Sequence, residues 1–122
     1  MKNINITIVD GNLTNDPELL KTVNGKSLCK FSIAVHNGIV NNQSNSDDVS
    51  YFDVDVWDKF AETCNDLLKK GSKAVIVGKL KQERWKAEDG TSRQKVKIIA
   101  QEIRFDSSVF EKKVIDNRKI AA

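Results

Sequence analysis

Histidine and cysteine are all but absent from this chain, and their scarcity narrows its chemistry before any motif is considered. The one histidine, His36, has no Asp, Ser or Cys at a useful spacing, so it is not expected to act in catalysis. Cys29 and Cys64 stand far apart, without the paired spacing of a zinc site, and a cytosolic disulfide is not expected. Both read as small buried thiols. The sequence also lacks any apolar run approaching the roughly 20 residues that cross a bilayer. The first strand begins almost at Met1, so no secretory signal is expected ahead of it and the protein is expected in the cytoplasm. Repeats and low-complexity tracts are missing as well.

What is present fits one soluble domain. A length of 122 residues supports a single modest core, and 30% charged with 39% hydrophobic residues is ordinary for a globular protein. The net charge of +3 is weak evidence for a polyanionic partner, and its distribution says more. From Asp47 to Asp66, seven acids (Asp47, Asp48, Asp53, Asp55, Asp58, Glu62, Asp66) accompany one lysine, Lys59. The positive surplus gathers instead between Lys79 and Lys97. There Lys79, Lys81, Arg84, Lys86, Arg93, Lys95 and Lys97 outnumber Glu83, Glu88 and Asp89 by seven to three. That stretch reads as a long β-hairpin, with Asp89-Gly90 as a two-residue type I′ turn. Its first arm places Lys79, Lys81, Glu83 and Trp85 on one face and Leu80, Gln82, Arg84 and Lys86 on the other. Neither face is apolar enough for a core, so the ribbon is expected to project into solvent.

Along the rest of the chain, a first strand at residues 5–9 puts Ile4, Ile6 and Ile8 on one face, and a turn is expected from Gly11 to Glu18. Pro17 cannot donate to a ladder and marks a turn or sheet edge. Asn24-Gly25 predicts a hairpin joining Leu19–Val23 to a strand over residues 27–36, with Cys29, Phe31, Ile33 and Val35 facing the core. The polar run from Asn37 to Asp48 is expected to be a mobile loop. Tyr51 to Trp57 alternates cleanly. Phe52, Val54 and Val56 face inward, leaving Tyr51, Asp53, Asp55 and Trp57 outward. Asp58 is the expected N-cap of a single helix from Lys59 to Lys70, with Lys69 and Lys70 at its negative end and Gly71 as its stop. Strands follow over residues 74–80, feeding the hairpin, and 96–105, with Ile98 or Ile99, Ile103 and Phe105 as core candidates. From Asp106 the pattern dissolves into an expected short tail. Mainly β, with five principal strands and a helix between the third and fourth, this order describes a five-stranded Greek-key barrel of the OB-fold type with a projecting hairpin.

Three large rings, Tyr51, Trp57 and Trp85, then fall on faces that the alternation makes polar. Structural explanations exist for each: an edge contact for Tyr51, a barrel cover for Trp57, a subunit contact for Trp85. Base stacking explains all three together, because every base offers a π-face whatever its identity. Basic residues on the same groove would neutralise phosphates, and duplex DNA hides its base faces, so the combination selects single strands. Lys59, Lys70 and Lys73 join the hairpin cations as candidates, although most surface lysines serve only solubility. Asp53-x-Asp55 is the one pair with an enzymatic look, since two carboxylates on one strand face can hold Mg²⁺. No third acid or base accompanies it, so a solvated outer face or a role as partner to nearby lysines is the better reading. No enzyme activity, metal or cofactor is expected.

The sequence resembles the bacterial-type single-stranded DNA-binding proteins. The landmarks are Asn5, Gly11-Asn12-Leu13 with Asp16-Pro17-Glu18, Asn24-Gly25, Phe31-Ser32-Ile33-Ala34-Val35, Trp57-x-Lys59-Phe60-Ala61-Glu62, Lys70-Gly71-Ser72, Gly78 before Leu80, Trp85 and Asp89-Gly90. The likeness spans about residues 3 to 107 and implies an OB-fold DNA-binding domain over 1–107 with a short tail over 108–122. It implies base stacking at Tyr51, Trp57 and Trp85, and DNA-facing Lys59 and Lys70. It further implies a homotetramer that coats single-stranded DNA in replication, recombination and repair, in the cytoplasm with the nucleoid. Two departures stand out. Ile39 lies near where a stacking aromatic often sits, and the chain ends in DNRKIAA where the family often carries an acidic tip that recruits partner proteins. That ending keeps open a second reading, an accessory OB module for replication restart or RNA binding that acts through protein contacts.

Overall fold

The computed structural model of the chain describes residues 1–39 and 47–105. Its elements in order are β1 (Thr7–Leu13), β2 (Glu18–Lys21), β3 (Ser27–Ile39), β4 (Asp47–Trp57), α1 (Lys59–Leu67), β5 (Lys73–Lys86) and β6 (Ser92–Phe105). Hydrogen-bonded neighbours run β1-β5-β6-β4-β3-β2. A further pairing of β1 with β3, Asn12 opposite Ala34 and Leu13 opposite Ile33, closes the sheet into a barrel. β4 and β6 run parallel, and the other pairs are antiparallel. Five strands make the OB-fold barrel, and β2 is a short additional strand beside β3. The mainly-β class, the helix between the third and fourth barrel strands and the projecting β5–β6 ribbon agree with the sequence pattern.

Alternation builds the core. Cys29, Phe31 and Ile33 of β3, Val54 and Val56 of β4, Ala74 and Ile76 of β5, and Ile98 and Ile103 of β6 are buried together. Val35 and Phe52 pack against them from partly buried positions. Each large aliphatic side chain removed from water contributes roughly 1.5–3 kcal/mol. Helix α1 closes the barrel with Ala61, Cys64 and Leu67, followed by Leu68. Ile98 and Ile103 share one core although strict alternation would split them. The β5–β6 register changes between Val77–Glu102 and Gly78–Ala100, so Gln101 is the extra residue of a bulge. At that bulge a side chain on Gly78 would overlap the carbonyl oxygen of Ile99.

Several local expectations are corrected. β1 begins at Thr7 and continues through Gly11 to Leu13, where a turn was expected. Gly11 lies within the strand because its backbone closely approaches the Ala34 carbonyl. Asn5 precedes the strand and extends its pairing by side chain, donating to Leu80 O at 2.9 Å and accepting from Leu80 N–H at 3.0 Å. Neither hairpin uses a two-residue type I′ turn. Gly25 N–H bonds Thr22 O and Gly90 N–H bonds Ala87 O, with only the glycines at positive φ, 81° and 88°. Each loop is thus a longer turn ended by a left-handed glycine. The helix stops at Leu67, so Lys69 and Lys70 lie beyond it, and Gly71 (φ 89°) serves the following turn. Asp58 makes no side-chain cap. It sits at φ 66°, its N–H bonded to Ser27 O, where the chain swings from β4 into α1. β3 reaches Ile39 and β4 starts at Asp47, so the polar loop is shorter than expected; residues 40–46 and the tail from 106 lie outside the described residues.

Candidate nucleic-acid interface

Strand register places the candidate residues. Across β3 and β4, Leu28 lies opposite Trp57, Lys30 opposite Asp55, Ser32 opposite Asp53 and Ala34 opposite Tyr51. Across β5 and β6, Lys81 lies opposite Lys97, Glu83 opposite Lys95 and Trp85 opposite Arg93. Since Phe31, Ile33, Val54 and Val56 point into the barrel, their alternating neighbours point out. Side-chain contacts join the two pairs into one outer face. Lys95 Nζ is 3.2 Å from Asp53 Oδ2, Lys97 contacts both Asp55 and Glu83, and Lys30 Nζ is 3.8 Å from Asp55 Oδ1.

The three rings border this face. Tyr51 is 68% exposed and Trp85 46% exposed, while Trp57 is half-buried. Tyr51 and Trp57 are six residues apart on one strand, about 20 Å at the usual rise. Trp57 lines a cleft of about 350 Å³ with Thr22, Asn24, Lys26 and Asp58, and exposed Lys59 begins the helix beside it. Trp85 lines a second cleft of about 670 Å³ with Arg84, Lys86, Ser92, Arg93 and Gln94. Flat aromatic surface beside cations, accessible to solvent, suits unpaired bases carried on a phosphate chain.

The centre of the face is not cationic. Asp53 accepts a 2.7 Å hydrogen bond from Ser32 Oγ, and this bond, with the Lys95 ammonium, outweighs partial burial and holds its carboxyl below the usual 3.8. Asp55 is buried at 1% exposure between Lys97 and Lys30, so of its two expected roles it takes that of lysine partner and not that of a solvated outer face. Burial alone would lower the Lys97 pKa, yet hydrogen bonds to Asp55 and Glu83 raise it above its ordinary value. The same Lys97 bond lowers the pKa of Glu83. Asp53 and Asp55 are therefore partners of lysines.

A model of the single-strand binding protein family matches residues 4–106. The chain belongs to that family. It is similar to single-stranded DNA-binding protein 2 of Chlorobaculum tepidum, with 42% identity over 86% of this chain and 72% of that one. It is also 38% identical to a Borreliella burgdorferi single-stranded DNA-binding protein (88% and 73% covered) and 35% identical to one from Treponema pallidum (89% and 61% covered). A solved Plasmodium falciparum SSB complex with single-stranded DNA matches 88% of this chain and 98% of its own, at TM-score 0.79 and 18% identity, and supports the fold. As a member of this family the chain is a non-catalytic binder of single-stranded DNA.

Within that family assignment the candidate residues separate. Lys79, Lys81, Arg93 and Lys95 share the outer face with the rings. Lys97 is a correction: expected among the DNA-binding cations of the ribbon, it is 9% exposed and committed to Asp55 and Glu83. Arg84 and Lys86 alternate to the other face, where the Arg84 guanidinium donates to Gln82 Oε1, although both border the Trp85 cleft. Lys70 and Lys73 lie at the opposite end of β5 from Trp85, so they are not gathered with the ribbon. Lys70 N–H bonds Asp16 Oδ1 at 2.8 Å. Sequence reasoning passed over Lys30 and Ser32, which the alternation of β3 had already turned outward. Among the described residues no helix is long and apolar enough to cross a membrane.

Proposed function

We propose that the chain coats single-stranded DNA by stacking unpaired bases on Tyr51, Trp57 and Trp85. Phosphates are neutralised by Lys79, Lys81 and Arg93 along the ribbon and by Lys59 beside Trp57. The observation that carries this reading is the exposure of Tyr51 and Trp85 on one face with these cations. Stacking and counterion release both ignore base identity, so binding is sequence-nonspecific and serves replication, recombination and repair. Residues 1–107 form the binding domain, and 108–122 a short tail.

The working form is a homotetramer in the cytoplasm, associated with the nucleoid. Exposed Ile4, Ile6 and Ile8 beside the start of β1 support self-association, because the first half of β1 pairs with β5 alone. Light scattering checks this by a mass of four chains. The binding mode is tested by titrating tryptophan fluorescence with oligo-dT and with duplex, at low and high salt. Strong quenching by oligo-dT and weak quenching by duplex are expected. Equal quenching by both overturns stacking.

A further inference from the structure

The carboxylates in the middle of the ring-bearing face are unequal. Asp55 is sealed in, held between Lys97 and Lys30. Asp53 is open: its side chain is 48% exposed and that of its partner Lys95 is 44% exposed. Ser32 Oγ fixes one Asp53 oxygen at 2.7 Å and leaves the other facing the Lys95 ammonium at 3.2 Å. Register sets this pair between the rings, since Asp53 follows Tyr51 by two residues on β4 and Lys95 follows Arg93, opposite Trp85, by two on β6. Among the described residues Lys79 and Lys81 have no acidic partner, whereas Lys95 has one that an approaching phosphate must displace.

We propose that Asp53 sets the affinity and the salt response of this face by withholding Lys95 from the phosphates. The proposal rests on the reading of the face given above. A phosphate that takes Lys95 must replace the Asp53 contact and lie against its charge, so the backbone is diverted toward Lys79 and Lys81, with Arg93, 3.8 Å from Asp89, at the ribbon tip. The bases are then left over the neutral centre, between Tyr51 and Trp85. The protein keeps its aromatic platforms and gives up one cation, which keeps its hold reversible. Asp53 is thus a positioning residue that acts through Lys95.

The test is Asp53→Asn, which preserves an oxygen for Ser32 and removes the charge. At about 0.1 M salt its affinity for oligo-dT should rise several-fold, and log K against log salt should steepen by about 0.7, the value of one added phosphate contact on a single strand. Adding Lys95→Gln should cancel both changes, which a merely structural effect of Asp53 would not do. Asp53→Ser carries the same expectation should the Asn variant fold poorly. An unchanged slope, or weaker binding with an unchanged melting temperature, overturns the role of Asp53. Lys81→Gln is the reference: if it fails to flatten the slope by about 0.7, the reading of the face itself fails; if it does flatten it while Asp53→Asn has no effect, only the role of Asp53 falls.

Discussion

Replacing Trp85 by alanine separates stacking from charge more sharply than any other single change. Trp85 is 46% exposed and lies opposite Arg93 on a ribbon outside the core, so its loss should leave the melting temperature nearly unchanged. One base platform contributes roughly 1–3 kcal/mol by alanine substitution. At 1.4 kcal/mol per tenfold, oligo-dT binding should weaken by roughly 5- to 150-fold. Because the indole carries no charge, the loss should be the same at every salt concentration, and the slope of log K against log salt should not move. Trp85→Phe, which keeps a smaller π-face, should fall between the wild-type chain and the alanine variant. Fluorescence anisotropy of labelled oligo-dT over a salt series, with a thermal melt of each variant, measures both quantities. Affinity of Trp85→Ala within twofold of the parent removes the indole from the interface. A loss that vanishes at high salt would also refute stacking, since it would assign Trp85 an electrostatic part.

Three further outcomes follow from the packing and the charges. Gly78→Ala puts a methyl group into the Ile99 carbonyl and should cost about 1–3 kcal/mol, seen as a melting temperature lower by roughly 4 °C or more; an unchanged melt would refute the close approach at the bulge. Asp53 and Glu83 have depressed pKa values, so their contribution to stability is complete above the ordinary 3.8 and 4.5 and is lost as pH falls through the lower folded values. Urea titrations should therefore show stability falling with acid in that window, with a shallower fall in Asp53→Asn; equal slopes for the two chains would count against the Ser32–Asp53–Lys95 arrangement. Burial, with the Asp55 charge second, pushes the Cys29 thiol up to about 11, and burial pushes Cys64 higher still. Neither should react with iodoacetamide at about pH 8 until urea is added, and mass spectrometry that found rapid native labelling would contradict the sealed core.

Features carried by a short, strict period were legible in the sequence. Residues 51–57 alternate without a break, and the outward turn of Tyr51, Asp53, Asp55 and Trp57 followed from that alone. The turns were legible as turns but not in type. Asn-Gly and Asp-Gly suit both a two-residue turn, which needs positive φ at Asn24 or Asp89 as well, and a longer turn that needs it at the glycine alone, and here only the glycines take it. Asp58 shows the same limit from another side. Its chemistry suits an N-cap, but the backbone bond from its N–H to Ser27 O fixes φ at 66°, and no side-chain cap forms.

What no local pattern could supply is the charge of the candidate interface. Counted along the chain, Lys95 and Lys97 belong to a ribbon with a surplus of positive charge, while Asp53 and Asp55 belong to an acidic segment 42 residues away. The parallel pairing of β4 with β6, Val54 beside Ile98 and Asp55 beside Ile99, brings the two segments onto one face and cancels them there. Such a pairing depends on barrel closure, not on any signal within either strand. Its consequence is that basic residues in this sequence overstate the cations that DNA can meet. Lys97 is removed by burial and Lys95 is engaged by Asp53, while Lys79 and Lys81 remain open. A face with aromatic edges and a neutral centre should hold single strands more by stacking than by charge, and its affinity should decline with salt less steeply than the count of its lysines suggests.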